Sequence, residues 1–219
     1  MNEIKSINPK NLGWLQSKLD EEEIGYLWKL IEEKGEDMKG SLVGQINSSY
    51  SIIDKDSWFF INVLSKLGQE YEIKFSDLGK RIPASNKHSY YLSNMWVNYQ
   101  KQYEFNPLHD HTGIYSFVIW LQIPTEYKDQ RELLIAKNTN SPVISNFCFN
   151  YQNILGGSGE YVYEMSKEME GTILFFPSVI IISYFLSLLI PKAKYPSFET
   201  FTFFLSIIIL ADGSVTPIM

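Results

Sequence analysis

The chain has 219 residues, 45% of them hydrophobic and 15% aromatic, enough for one domain with a sizeable core and too apolar for wholesale disorder. Its net charge is −6 and no Lys/Arg cluster stands out, which argues against a nucleic-acid surface. The single cysteine, Cys148, cannot form an internal disulfide and Met1 to Pro9 has no apolar signal-peptide core, so a cytoplasmic protein is expected.

Asp20-Glu21-Glu22-Glu23 predicts a helix start, with carboxylates where the helix dipole favours them. Ile24, Leu27, Trp28 and Ile31 then repeat at helical spacing. Residues 40–54 read as loop with a short strand, and a second helix is predicted from near Asp56 through Trp58, Phe59, Val63, Leu64 and Leu67. Both helices read as support for a sheet, without chemistry of their own.

From Leu92 the period becomes alternating. Met95, Val97 and Tyr99 fall on one face of a strand, and Trp96, Asn98 and Gln100 on the other. Asn106-Pro107 marks a turn, followed by Leu108-His109-Asp110-His111-Thr112-Gly113. Tyr115, Phe117, Ile119, Leu121 and Ile123 then share a face until Pro124, and Thr125 to Pro142 is polar and reads as loop. Phe147, Phe149 and Tyr151 alternate again, Gly156 to Gly159 turns into Tyr161–Tyr163, and Gly171-Thr172 opens a strand ending at Phe176-Pro177. Short strands separated by turns predict a barrel or a double-sheet jelly roll.

In an extended segment residues i and i+2 point the same way, so His109 and His111 can converge on one ion. Imidazole suits Fe(II), Zn(II) and Cu(II) alike, and on spacing alone two hydrogen-bonded histidines near a turn fit as well. His88, in a polar loop, reads as solvated. Tyr99 and Trp120 are candidates to line a cofactor pocket, although aromatics on strands more often belong to the core.

The run Trp96-Val97-Asn98-Tyr99-Gln100-Lys101, then Glu104-Phe105-Asn106-Pro107-Leu108-His109-Asp110-His111, resembles a family of 2-oxoglutarate/Fe(II)-dependent oxygenase-like proteins of marine phage and bacterial genomes. The resemblance continues through Tyr115–Trp120, Ile123-Pro124, Asn153–Gly157 and Glu170–Ser178, and Leu42–Ile46 with Asp54-Lys55-Asp56 also fits, so it covers roughly residues 40–178. It implies a mainly β fold: a double-stranded β-helix (jelly roll, cupin-like) behind N-terminal helices, with the C-terminal strands left open. It further implies Fe(II) and 2-oxoglutarate as cofactors and oxidative hydroxylation of a small-molecule or side-chain substrate. His109 would be the first metal ligand. The second would be His111, or Asp110 if the loop is not extended.

The resemblance stops at Ser178. The family pattern expects a histidine soon afterwards and then an arginine to anchor 2-oxoglutarate. This chain has no histidine beyond His111, and its only arginines are Arg81 and Arg131. The 49 residues from Gly171 hold four charges, Lys192, Lys194, Glu199 and Asp212, against 40 in the preceding 170. A shifted reading frame, divergence to a non-catalytic domain, or a membrane segment over 171–191 would each produce such a tail. The short charge-free run Val179–Ile190 favours buried strands over a membrane span. The expected organisation is a helical and loop support region (1–91), a β-helix core (92–178) and a hydrophobic tail (179–219). A catalytically impaired oxygenase is expected, with a cupin-like binding or structural domain as the alternative.

Overall fold

The structure, a computed structural model, describes Lys5 and residues 12–75, 90–184 and 202–211. A short strand β1 (Leu15–Lys18) leads to Asp20, which caps α1 (Glu21–Glu32). The cap is reciprocal: the Glu23 amide donates to Asp20 Oδ1, and the Asp20 amide donates to Glu23 Oε2. Leu27, Leu30 and Ile31 form the buried stripe of α1.

After β2 (Ser49–Ser51) the second helix starts later than its sequence suggests. Lys55–Ser57 forms a 3₁₀ turn with Asp56 at φ 56°, and Phe60–Leu64 forms a π-helical turn that runs into α2 (Ser65–Lys74). Asp54, rather than Asp56, satisfies the helix start. Its carboxylate accepts from the amides of Phe59 (2.9 Å) and Phe60 (2.8 Å) and from the Tyr26 hydroxyl (2.7 Å). Asp54→Ala is therefore expected to lower stability by about 2 kcal/mol. Asp56→Asn, which keeps a residue tolerant of the left-handed backbone, should leave the urea midpoint almost unchanged.

Eight further strands follow: β3 (Tyr90–Gln100), β4 (Asn106–His109), β5 (Tyr115–Ile119), β6 (Phe147–Gln152), β7 (Ser158–Tyr163), β8 (Thr172–Pro177), β9 (Ile181–Tyr184) and β10 (Thr202–Ala211). They build two antiparallel sheets, a six-stranded one in the order β1-β8-β5-β10-β3-β2 and a four-stranded one in the order β4-β9-β6-β7. This is the mainly β, double-sheet architecture expected from the alternating periods. Strand alternation sorts the core into two layers. Met95, Val97, Tyr115, Phe117, Ile119 and Phe175 face the helices and meet Leu27, Phe59, Leu64 and Tyr71. Val118, Trp120, Leu174 and Phe176 face the other sheet and meet Phe147, Phe149, Tyr163 and Ile182.

Two local readings are corrected. β5 ends at Ile119, because the following chain is tied to the turn before β8: the Gly171 amide donates to the Trp120 carbonyl, and the Ile123 amide to Glu170 Oε1. The alternation is lost there, and Ile123 joins the inter-sheet layer rather than the layer of Tyr115. The stretch read as loop contains two short helices, α3 (Tyr127–Arg131) and α4 (Leu134–Lys137). They are too short to show a helical period. Arg131 holds the following segment by donating to the carbonyls of Ser141 (2.6 Å) and Thr139 (2.9 Å).

The hydrophobic tail supplies interior strands to both sheets. β9 lies between β4 and β6, and β10 lies between β5 and β3. Among the described residues no helix is long and apolar enough to cross a membrane.

Candidate metal-binding site

β4 is an outer strand of the four-stranded sheet, and His109 is its last residue. The chain then turns through Asp110 to Gly113, the latter at φ 109°, before entering β5. Within this turn the His111 amide donates to the Ser178 carbonyl (3.0 Å), and the Ser178 amide donates to the Ile114 carbonyl (3.0 Å). The element after β8 thus fixes the height of His111.

Both imidazoles open onto one cavity of about 350 Å³ between the sheets. Their ring centroids are 5.0 Å apart and their planes are inclined by 64°. His109 Nδ1 donates to the Pro107 carbonyl at 2.7 Å; a carbonyl can only accept, so the proton of the neutral ring sits on Nδ1 and the lone pair on Nε2. His111 Nδ1 is engaged by Ser116 Oγ at 3.0 Å, and Ser116 Oγ in turn meets Ser178 Oγ at 2.9 Å. Each ring is held through one nitrogen, which leaves the other for a ligand. That is how metal-binding histidines are oriented by outer partners.

Burial keeps both rings neutral. His109 titrates below the usual histidine range, chiefly through desolvation, with the Pro107 contact and Asp110 acting against the shift. His111 is pushed down to about 4, again by desolvation first and by His109 second. Its surroundings explain this: Trp96 lies 6.2 Å away edge-on, and Phe176 lies 6.3 Å away on the other side. A depressed pKa means that the unfolded chain takes up more protons than the folded one between about pH 6.5 and 4. In the metal-free protein, stability should therefore fall with pH across that window. His111→Phe is expected to flatten the fall, measured as urea midpoints from pH 7 to 4; parallel curves for the two chains would sink this assignment.

The rest of the cavity is largely apolar, with a few neutral polar groups and almost no charge. Ser49, Asn94, Asn98 and Asn106 contribute amides and hydroxyls, and Trp96, Val118, Phe147 and Ile182 contribute apolar wall. Ser49 Oγ donates to Asn98 Oδ1 at 2.7 Å, both residues being buried. The segment from Met38 to Ile46 forms a roof. It is bound to the start of β4 by the Gln45 amide to the Phe105 carbonyl (2.8 Å), and by the buried Glu104, which accepts from Asn47 and Lys101. Gly44 permits this close approach, since a Cβ there would collide with Asn106 Oδ1.

The residues singled out from sequence separate clearly. His109, His111 and Asp110 all line the cavity, but Asp110 is exposed at its rim. Among the described residues no three His, Cys, Asp or Glu side chains gather closely enough to enclose an ion. Tyr99 and Trp120 do not line the cavity. Tyr99 lies against Tyr50 at 6.0 Å with Lys34 Nζ over its ring, and the fully buried Trp120 packs on Phe147 at 5.1 Å. His88, Arg81, Lys192 and Lys194 lie outside the described residues. Sequence reasoning missed Ser116 and Ser178. The signal was present: Ser116 is the one small polar residue in a strand of aromatic and aliphatic side chains, and Ser178 is fully buried beside it.

The residues fit a metal ion better than they fit 2-oxoglutarate. Two imidazoles sharing one ion at about 2.1 Å, with about 100° between the bonds, have ring centroids about 5 Å apart, as this pair has. A dicarboxylate needs a cation or a set of donors for its far end. Among the described residues the cavity lining includes no Lys or Arg, and Arg131 is committed to backbone carbonyls elsewhere.

No protein-family model and no curated protein matches the chain. Solved structures do. A prolyl-4-hydroxylase from Pseudomonas putida superimposes with a TM-score of 0.51 at 10% identity, covering 92% of this chain and 94% of that one. A 2OG-Fe(II) oxygenase family oxidoreductase from Burkholderia pseudomallei gives a TM-score of 0.47 at 12% identity, covering 90% and 81%. At such identities the likeness is one of fold. The chain has the jelly-roll, double-stranded β-helix architecture of the 2-oxoglutarate/Fe(II) oxygenases.

Proposed function

We propose that the chain is an iron-binding domain of the 2-oxoglutarate/Fe(II) oxygenase type, for a small-molecule or side-chain substrate, that does not sustain useful turnover as its sequence stands. One observation carries the metal assignment: two neutral imidazoles, each held through Nδ1, open on the same cavity 5.0 Å apart.

Bound iron would supply oxygen activation for hydroxylation. The chain's own residues divide the remaining work. His109 and His111 present the ligand nitrogens, and Pro107 and Ser116 fix the rings. Trp96 and Phe176 keep water from His111. Asp110 adds negative charge at the rim, which favours a divalent cation.

Impairment follows from what stands opposite. Ile182 of β9 pairs directly with His109, is buried, and brings a sec-butyl group to the cavity wall where a third donor would complete the set. The far end of a dicarboxylate finds no cation among the described lining residues. These same two features favour the second reading, a cupin-like binding domain without turnover. Anaerobic Fe(II) titration of the full chain, followed by a succinate assay in air with 2-oxoglutarate, tests the proposal. Stoichiometric iron binding without succinate above the metal-only background is expected. Robust succinate formation would overturn the impairment, and absence of iron binding would overturn the site.

A further inference from the structure

β3 is eleven residues long, but its outer neighbour β2 covers only part of it. Ser49, Tyr50 and Ser51 pair with Asn98, Val97 and Trp96, and the last rung is the Ile52 amide donating to the Met95 carbonyl at 2.8 Å. Beyond Ile52 the chain leaves the sheet for the Lys55–Ser57 turn and α2. On that side the backbone of Tyr91 to Asn94 has no strand partner among the described residues.

The space where β2 would have continued is a second cavity, of about 540 Å³. Ile52, Ile53, Asp54 and Phe60 form one wall and Tyr91 to Met95 the other. Ile53 and Tyr91 are exposed apolar side chains, 71% and 43% accessible. Met38 and Asn94 belong to the linings of both cavities, so the groove adjoins the histidine site. The register of β3 with β10 also shifts here: Asn94 pairs with Ile208 and Leu92 with Ile209, leaving Ser93 as a bulge. Bulges of this kind re-aim side chains next to functional sites.

We infer that the substrate is a segment of polypeptide in extended conformation, which adds to the open edge of β3 at Tyr91–Asn94 and delivers one side chain past Asn94 to His109 and His111. This rests on the metal-site reading for the role of the histidines, but the groove stands on its own geometry. An edge of four residues is about 13 Å long and turns the amides and carbonyls of about every second residue outward, which an extended peptide can use and a small metabolite cannot. Across both cavities the charged lining residues are Asp54 and Asp110, without a described cation. The peptide it fits is neutral or basic.

The test is panning of the full, metal-free chain against a displayed library of random peptides about ten residues long, with amide exchange of the ¹⁵N-labelled chain as readout. Enriched peptides should lack Asp and Glu and slow exchange of the outward-facing amides within Tyr91–Asn94, those not bonded to β10, by about tenfold or more at saturation. Ile53→Arg, on an exposed side chain, and Asn94→Trp, at the junction of the cavities, should each weaken binding by about tenfold. Three outcomes overturn the inference: no enrichment, binding that leaves Tyr91–Asn94 exchange and both variants unaffected, or full protection of Tyr91–Asn94 before any peptide is added. The last would mean that the chain fills its own edge. Iron titration of the same samples separates the two proposals, because peptide binding without iron binding removes only the metal site, and the reverse removes only the groove.

Discussion

Alanine at His109 or at His111 is expected to weaken Fe(II) binding by about 10²-fold, whereas His88→Ala leaves it unchanged. Loss of an outer partner of a metal ligand typically costs about 10–100-fold, and loss of the ligand itself reaches at least the upper end. Ser116→Ala provides the intermediate case. It keeps the His111 imidazole but removes the hydroxyl that holds Nδ1 at 3.0 Å, so about tenfold is expected. The ordering His111→Ala, then Ser116→Ala, then His88→Ala, read from anaerobic titrations, is the signature of a site built on this pair. Equal losses from all three histidines would mean the ligands have been wrongly chosen.

Ile182→His is expected to act in the opposite direction, tightening Fe(II) binding by about 10²-fold. The reason is register. Ile182 is the Cα partner of His109 across the antiparallel β4–β9 pair, and residues directly opposed on such a pair carry side chains about 5 Å apart on one face. A third imidazole there completes a set of donors around the ion. Without metal the variant should be less stable than the parent, because a buried apolar side chain, 4% exposed, gives way to a polar ring. With saturating iron, tighter binding should offset the loss through linkage. The informative measurement is therefore the melting midpoint with and without Fe(II) for both chains. A variant that is destabilised in both conditions and binds iron no better would show that the β9 position does not point at the ion.

Much of this molecule could be read from its residues in order. The acidic run at Asp20–Glu23 gave the start of α1, because a capping box is a local event. Period-two alternation placed Met95 and Val97 opposite Trp96 and Asn98, and that division became the boundary between the helix-facing core and the cavity. The i, i+2 spacing of His109 and His111 predicted a shared pocket, and they do open on one cavity, although His111 lies past the end of β4 and is held there by the distant Ser178. The cap and the strand faces depend only on neighbours within a few residues, so a linear pattern contains them.

Other features were settled only by the chain meeting itself. Nothing in the spacing of Tyr99 or Trp120 distinguishes a pocket wall from core; Tyr99 faces the helix side with Met95, and Trp120 is enclosed by the opposite sheet. Asp54 rather than Asp56 caps the second helix because Tyr26, 28 residues earlier, and the amides of Phe59 and Phe60 converge on it. The hydroxyls of Ser116 and Ser178, 62 residues apart, meet beside His111, and β10 enters the six-stranded sheet between β5 and β3, which precede it by some 90 and 110 residues respectively, a placement about which its mostly apolar run says nothing. A strand's own side chains encode which face it buries, but not which neighbours it pairs with. That choice is made by the summed hydrogen bonds and packing of the whole sheet.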